Sequence, residues 1–348
     1  MFHVSPTLGA VAVPARPDIA NLFPHAKRLT VRGTDFIAVP HDLDETRVLR
    51  ALGFGIPAPV LTRYQWTGFR PPFEVQKKTV AMLTTNRRAY VLNGMGTGKT
   101  RSALWAWDYL RGSGRAGKLL VAAPLSTLTF TWAKEVFDVL PHRKVVVLHG
   151  SKDRRLKRLA DPDAEIFVIN HDGVNTILDE LMKRRDIDTL IIDELAAYRN
   201  GGATRTKNMK KLAHRMEWVW GLTGSPTPNE PTDAWAQATI VTPDTVPKYF
   251  SRFRESVMVR LTQFKWFPRN DATERVFSAL QPAVRFTLDD VTELPDLVER
   301  TIDIELGPKQ AAVYSRMKTS AYASIASQEI TAANAGAVAL ARACGPRL

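Results

Sequence analysis

Lys99 and Thr100 close a run of glycines, Asn93-Gly94-Met95-Gly96-Thr97-Gly98-Lys99-Thr100. Glycines at this spacing let backbone N–H groups turn inward around phosphate oxygens. The next segment reads as a helix, and its N-terminus adds a partial positive charge. In such a loop Lys99 reaches the β- and γ-phosphates, and the Thr100 hydroxyl binds Mg²⁺. The nucleotide-contacting residues are then Gly94, Met95, Gly96, Thr97, Gly98, Lys99, Thr100 and Arg101. The general pattern has glycine at the first position, where this chain has Asn93.

A second constellation is Leu190-Ile191-Ile192-Asp193-Glu194, about 95 residues further on. Two carboxylates at the end of an apolar strand are costly unless something offsets their charge. A Mg²⁺ ion held by Asp193 would do so, leaving Glu194 to orient or deprotonate an attacking water. A third segment, Gly221-Leu222-Thr223-Gly224-Ser225-Pro226, ends another apolar run. The hydroxyls of Thr223 and Ser225 are candidates for coupling to the γ-phosphate or to Glu194. Alone, that segment would read as a surface turn.

These residues need rigid elements behind them. Nearly continuous Val/Ile/Leu runs at 89–93, 119–123, 144–149, 165–170, 189–193 and 218–222 read as strands buried on both faces. The intervals are long enough for crossover helices. One follows Lys99, with Ala103, Leu104, Trp107 and Leu110 on one face. The expected class is α/β, a parallel sheet with flanking helices. Residues 1–70, rich in proline, read as a small accessory module with a strand at 36–40 and a short helix at 44–52. Residues 71–245 form the nucleotide-binding domain. The alternation is lost across 246–348, where 301–306 alternates like a strand and 308–337 reads as helical.

Lys and Arg total 48 against 35 Asp and Glu, a formal net charge of +13. A basic balance favours polyanionic partners, nucleic acid first among them. The one cysteine, Cys344, excludes an internal disulfide and a multi-cysteine zinc site. No apolar run reaches the ~18–20 residues of a membrane helix. The first twenty residues do not read as a signal peptide, so the protein is expected to act in the compartment where it is made. His171-Asp172 lacks the further ligands that a metal phosphohydrolase requires.

Taken in order, the GxGKT loop, the DE pair and the LTGSP segment resemble superfamily-two helicases, and among them the Swi/Snf-type DNA-dependent ATPases. The stretch LVAAPLSTLTFTWAKE at 120–135 is similar to the family's Ia segment, and VVVLHG at 145–150 and IFVINHD at 166–172 to its next strands. Pro72-Phe73-Glu74-Val75-Gln76 resembles the glutamine motif, which puts Gln76 on the adenine edge. Asp233, Trp235 and Gln237 fall in register with the family's segment after LTGTP. The pattern departs at Leu195-Ala196, which follows the DE pair.

The resemblance implies a RecA-like lobe with a Walker A loop, using ATP and Mg²⁺ and stimulated by double-stranded DNA without sequence preference. Lys99, Asp193 and Glu194 would be catalytic, and Thr100 and Asp193 would hold the metal. Ser126 and Thr127 match the family's nucleic-acid contacts in the Ia segment. Two basic clusters, one containing Arg205 and Lys207, add further candidates, although solvated helix faces are the ordinary reading of such residues. The aromatic and basic stretch 250–269 reads as packing. Only the start of a second lobe is legible, at 294–317 and 332–341. An incomplete second lobe leaves two readings: the ATP-binding lobe of a translocase that hydrolyses ATP to move on DNA, or a truncated, non-hydrolysing ATP- and DNA-binding module that needs a second polypeptide for the missing lobe and its arginine fingers. A small-molecule kinase is disfavoured by the charge and by the segment after Thr223. The family's frequency in bacteriophages and bacteria suggests a phage-encoded protein acting in the host cytoplasm.

Overall fold

The computed structural model describes residues 2–262, 265–291, 300, 302, 305–320, 322–325 and 328–331. Two compact units divide the chain, Met1–Glu293 and Leu294–Leu348.

The first unit begins with an antiparallel sheet. Its strands are β1 (His3–Ser5), β2 (Ala10–Pro14), β3 (Lys27–Val31) and β4 (Thr34–Pro40), in the order β1-β2-β4-β3. Alternate residues Val11, Val13, Ile37 and Val39 face a small core completed by Ile19, Leu49 and Ile56. The helix Leu43–Ala51 ties this module to the helix Glu74–Thr85. Arg47 donates to the Thr85 carbonyl (3.0 Å), and Arg50 to the Thr85 hydroxyl (3.2 Å).

Seven parallel strands follow. They are β5 (Arg88–Val91), β6 (Lys118–Ala123), β7 (Val145–Leu148), β8 (Ile166–Asn170), β9 (Ile187–Asp193), β10 (Trp218–Leu222) and, beyond the short antiparallel hairpin β11 (Met258–Arg260) and β12 (Trp266–Pro268), β13 (Ala283–Val284). Their order is β13-β5-β10-β9-β6-β8-β7. The six expected strands are all present. Period-two alternation deals their side chains to two cores. Leu120, Ala122, Phe167, Leu190 and Ile192 enter one core, and Leu119, Val121, Val168, Ile191 and Trp220 the other. Burial on both faces is what makes these strands read as continuous apolar runs.

Arg88 shows how the sheet locks its helices. Its guanidinium donates to the carbonyls of Ala213 (2.9 Å) and Val241 (3.1 Å), at the ends of helices Thr204–Arg215 and Asp233–Val241. A cation at two helix C-termini satisfies orphan carbonyls and opposes the helix dipoles. Trp105 and Trp107 are fully buried, as core residues.

In the second unit, helix Pro308–Ser320 is followed by β14 (Tyr322–Ile325) pairing antiparallel with β15 (Gln328–Thr331). The helical reading of 308–337 is therefore corrected at Tyr322–Ile325 and Gln328–Thr331. Tyr322, Ile325, Ile330 and Thr331 are aromatic or β-branched, types that favour strands. Ile302, Glu305 and Leu306 stand in no strand. The rest of 301–306 lies outside the described residues, as do 332–341 and all of 292–299.

Candidate nucleotide site

The register of the sheet sets the site. Leu222 of β10 pairs with Val91 of β5 on one side and with Asp193 of β9 on the other. The loops leaving these three strands therefore start from one level at the carboxyl edge, where ligands of open α/β sheets sit. They are the Gly-rich loop, the Asp193-Glu194 pair and the Thr223 segment. On β6 and β8, Ala123 pairs with Asn170, so the Ser126 and His171 segments leave the sheet alongside.

In the Gly-rich loop Gly96 and Gly98 have φ of 79° and 76°. This left-handed region is open to glycine and strained for other residues. A Cβ on Gly98 would also lie 2.1 Å from Gln76 Nε2. Gln76 is buried, with both ends of its amide engaged: Oε1 accepts from the Phe73 N–H (2.9 Å) and Nε2 donates to the Thr97 carbonyl (3.4 Å). It thus joins the start of helix Glu74–Thr85 to the loop. The Thr97 hydroxyl donates to the Gly94 carbonyl (2.9 Å). Lys99 Nζ folds back over the loop and donates to the carbonyls of Asn93 (2.9 Å) and Gly94 (3.0 Å). Burial pulls the Lys99 ammonium below the ordinary lysine range, while Glu194 and Asp193 pull it the other way. Thr100 stands beside it in the first turn of helix Lys99–Gly112, half-buried, and Met95 is exposed. Arg101 is engaged elsewhere, in an ion pair with Glu135 at 2.6 Å.

Asp193 ends β9 and Glu194 breaks from it, with φ of 49°. A left-handed glutamate is uncommon, and such strain gathers at functional sites. Burial raises the Asp193 carboxyl, against hydrogen bonds from the Trp132 indole N–H (2.9 Å) and the Glu194 N–H (3.1 Å). Burial, then the Asp193 charge, raises Glu194 as well, and Lys99 opposes both effects. Leu195, which departs from the family pattern, is buried, and a Cβ on Gly221 would lie 2.5 Å from its Cδ2.

Thr223 is buried, its N–H on the Val91 carbonyl (3.1 Å) and its hydroxyl accepting from the Ser225 N–H (3.3 Å). Asp233 Oδ2 accepts from the N–H of Asn229 (3.0 Å), and Gln237 donates to the Pro226 carbonyl. The helix Asp233–Val241 thereby holds the segment that begins at Thr223.

The candidate nucleic-acid residues scatter more widely. Ser126 and Thr127 lie in the 3₁₀ turn Leu125–Thr127 after β6, Ser126 exposed. Lys207 is exposed on helix Thr204–Arg215. Arg205 makes a two-pronged pair with Asp172, both bonds at 2.8 Å.

Next to that pair His171 is buried, its Nδ1 against the Tyr198 hydroxyl (2.9 Å) and its Nε2 enclosed without a partner. Burial, with Arg205 adding to it and Asp172 opposing, lowers the imidazole from 6.5 to about 4. At neutral pH the ring is uncharged in both folded and unfolded states. As pH falls from 6.5 towards 4 the unfolded chain takes up a proton that the folded chain does not, so stability falls with pH across that window. The loss expected by pH 5 is about 2 kcal/mol. Urea unfolding of wild type and His171→Gln at pH 7 and pH 5 checks this. A variant with the same pH dependence as wild type contradicts it.

Two contributors escaped the sequence reading. Trp132 was visible as a family marker, but not as a hydrogen-bond donor to Asp193. A buried indole N–H needs a partner, and that is the signal that was available. Asn93 was visible as a departure. Its amide donates to the Thr79 hydroxyl (3.2 Å) and accepts from the Phe286 N–H (3.1 Å), while the Gly94 N–H donates to the Phe286 carbonyl (2.8 Å). Asparagine at the first loop position clasps the segment after β13.

Fold and site together define a P-loop protein of the RecA-like class. Within that class the chain belongs to the SNF2-related domain family, whose profile matches residues 76–343. It carries the first lobe of a Swi/Snf-type, superfamily-two ATPase. Putative protein p41 of Acyrthosiphon pisum secondary endosymbiont phage 1 is 29% identical over 76% of this chain and 61% of its own length. ATP-dependent DNA helicase DDM1 of Arabidopsis thaliana is 26% identical over 43% of this chain and 20% of its own. The chain thus spans under two-thirds of the length of these relatives. The SWI2/SNF2 ATPase core of Sulfolobus solfataricus, solved in complex with dsDNA, superposes with a TM-score of 0.55 at 23% identity, over 72% of this chain and 52% of that one. That likeness shows the fold. No described helix is long and apolar enough to cross a membrane.

Proposed function

We propose that this chain is the ATP-binding lobe of a DNA-stimulated translocase of the helicase type, which hydrolyses ATP with Mg²⁺ to move on double-stranded DNA. The observation that carries the reading is the row Val91–Leu222–Asp193, from which Lys99, Asp193-Glu194 and Thr223 depart together. The residues suit the groups they would hold. Left-handed glycines and a helix N-terminus suit a polyphosphate. Thr100 and Asp193 offer the hard oxygen ligands that Mg²⁺ takes. A bound Mg²⁺ would supply charge neutralisation on the phosphate oxygens.

The chain's own groups do the rest. Gly94 to Thr100 bind and orient the phosphates, while Arg101, held by Glu135, would have to leave that ion pair to reach them. Lys99 exchanges its loop carbonyls for phosphate oxygens and follows the charge as it develops. Gln76 reads the adenine edge from its place against Thr97. Glu194 accepts the proton of the attacking water, and its raised carboxyl is a better base than an exposed glutamate's. Thr223 and Ser225 couple the site to its surroundings. Ser126, Thr127 and Lys207 touch the DNA backbone, and Arg205 contributes less because Asp172 shares its charge.

The net charge of +13 supports a DNA partner, and the similar Sulfolobus solfataricus core was solved in complex with dsDNA. The test is ATP turnover by the purified chain with and without duplex DNA, and DNA-stimulated turnover is expected. ATP binding without turnover in either condition would replace this reading with that of a nucleotide- and DNA-binding module whose arginine fingers belong to a second polypeptide.

A further inference from the structure

The helix Phe250–Val257 and the hairpin β11–β12 enclose a groove of about 590 Å³. Arg254, Glu255, Met258, Arg260, Trp266 and Arg269 line it. The sequence reading gave this stretch to packing, and packing accounts for Trp266 but not for three arginines around one opening.

Their arrangement is specific. The Arg254 guanidinium lies 4.3 Å from the centre of the Trp266 ring, and that of Arg260 lies 6.0 Å from it. A guanidinium stacked on an indole keeps its N–H donors in its own plane, which preorganises the fork for an oxyanion. Arg260 and Arg269 each fix Nε on a backbone carbonyl, of Thr262 (3.2 Å) and Glu255 (3.1 Å). Among the described residues no hydrogen bond holds their terminal nitrogens. Arg254 Nε is enclosed and has no hydrogen-bond partner.

Several arginines of this unit sit on acids, among them Arg16 on Asp18, Arg63 on Asp42, Arg143 on Asp108 and Arg184 on Asp186, and others, such as Arg50, Arg88 and Arg155, spend their donors on backbone carbonyls. Among the described residues Arg254, Arg260 and Arg269 have no carboxylate within ion-pair distance, Glu255 included. Three like charges around one groove repel each other, and an anion with several oxygens relieves that repulsion.

We propose that this groove binds backbone phosphates of DNA, as a second contact separate from the nucleotide loop and from the Ser126 segment. The inference rests on the DNA reading above. Phosphate contacts of this kind carry no sequence information, and each adds about 0.9 to the salt slope of duplex binding.

The experiment is fluorescence anisotropy of a short labelled duplex with the full chain, in a salt series. Wild type is compared with the double variant Arg260→Gln/Arg269→Gln, both positions being exposed. A control, Lys27→Gln/Arg28→Gln, removes the same charge from exposed β3. Two lost contacts lower the slope by about 2, so wild type loses about tenfold more affinity than the variant between 50 and 200 mM salt. ATP binding and the control are expected to stay at wild-type values. An equal fall in the control would mean a general charge effect and overturn the site. A variant equal to wild type in slope and affinity overturns the groove and leaves the DNA reading standing. Wild type without duplex binding removes both. A variant that loses only binding of inorganic phosphate, its duplex binding unchanged, overturns the assignment to DNA.

Discussion

Lys99→Ala is expected to lower ATP turnover by about 10²–10³ and to weaken ATP binding with it. Loss of one preorganised donor from a site of developing charge has an effect of that size. Lys99 also balances charge at rest, facing Glu194 and Asp193 while bonded to the Asn93 and Gly94 carbonyls. Without it two carboxylates face incoming phosphates with their repulsion unopposed. Affinity and rate should therefore fall together. Steady-state turnover and titration with a fluorescent ATP analogue measure the two. Turnover within a few-fold of wild type would show that the Gly-rich loop is not the phosphate site.

Glu194→Gln should separate what Lys99→Ala couples. Glutamine keeps the size and the hydrogen-bonding reach of the side chain and removes its basicity. A positioned general base contributes typically about 10²–10⁴, so turnover falls by that factor while ATP affinity holds or improves. Improvement is the more telling result, since one negative charge near the phosphates is gone. The pH profile offers a second check. The Glu194 carboxyl is raised by burial and by Asp193, so its basic form is lost, as pH falls, at a higher pH than for an exposed glutamate. Wild-type turnover should decline on that acid limb, and the residual turnover of Glu194→Gln should not follow it. A variant that keeps full turnover would move the base to another residue.

The parts of this molecule that were legible in the sequence share one physical cause. Strands β5, β6, β8, β9 and β10 are buried on both faces, so they stand out as apolar runs, and the chemistry-bearing residues follow at their ends. The less legible parts lack that contrast. All five residues of β3 are exposed, so its two apolar residues, Leu29 and Val31, mark no buried face. It is a strand because β4 pairs with it. β13 has two residues, and its place beside β5 comes from tertiary contact that no local pattern carries. The helical reading of 308–337 passes over the strand-forming types from Tyr322 to Thr331. At the site itself, spacing named Lys99, Asp193 and Glu194, but not the Trp132 indole that steadies Asp193. That contact joins residues 61 apart in sequence.

The Asn93 clasp gives the phosphate loop a mechanical neighbour. Phe286 bonds the Asn93 side chain through its N–H and the Gly94 backbone through its carbonyl, and a Cβ on Gly96 would lie 3.1 Å from Leu288. The backbone from Phe286 to Leu288 is thus part of the wall of the Gly-rich loop, so a change at 286–288 is felt at Gly94 and Gly96 although no residue of the loop itself is altered.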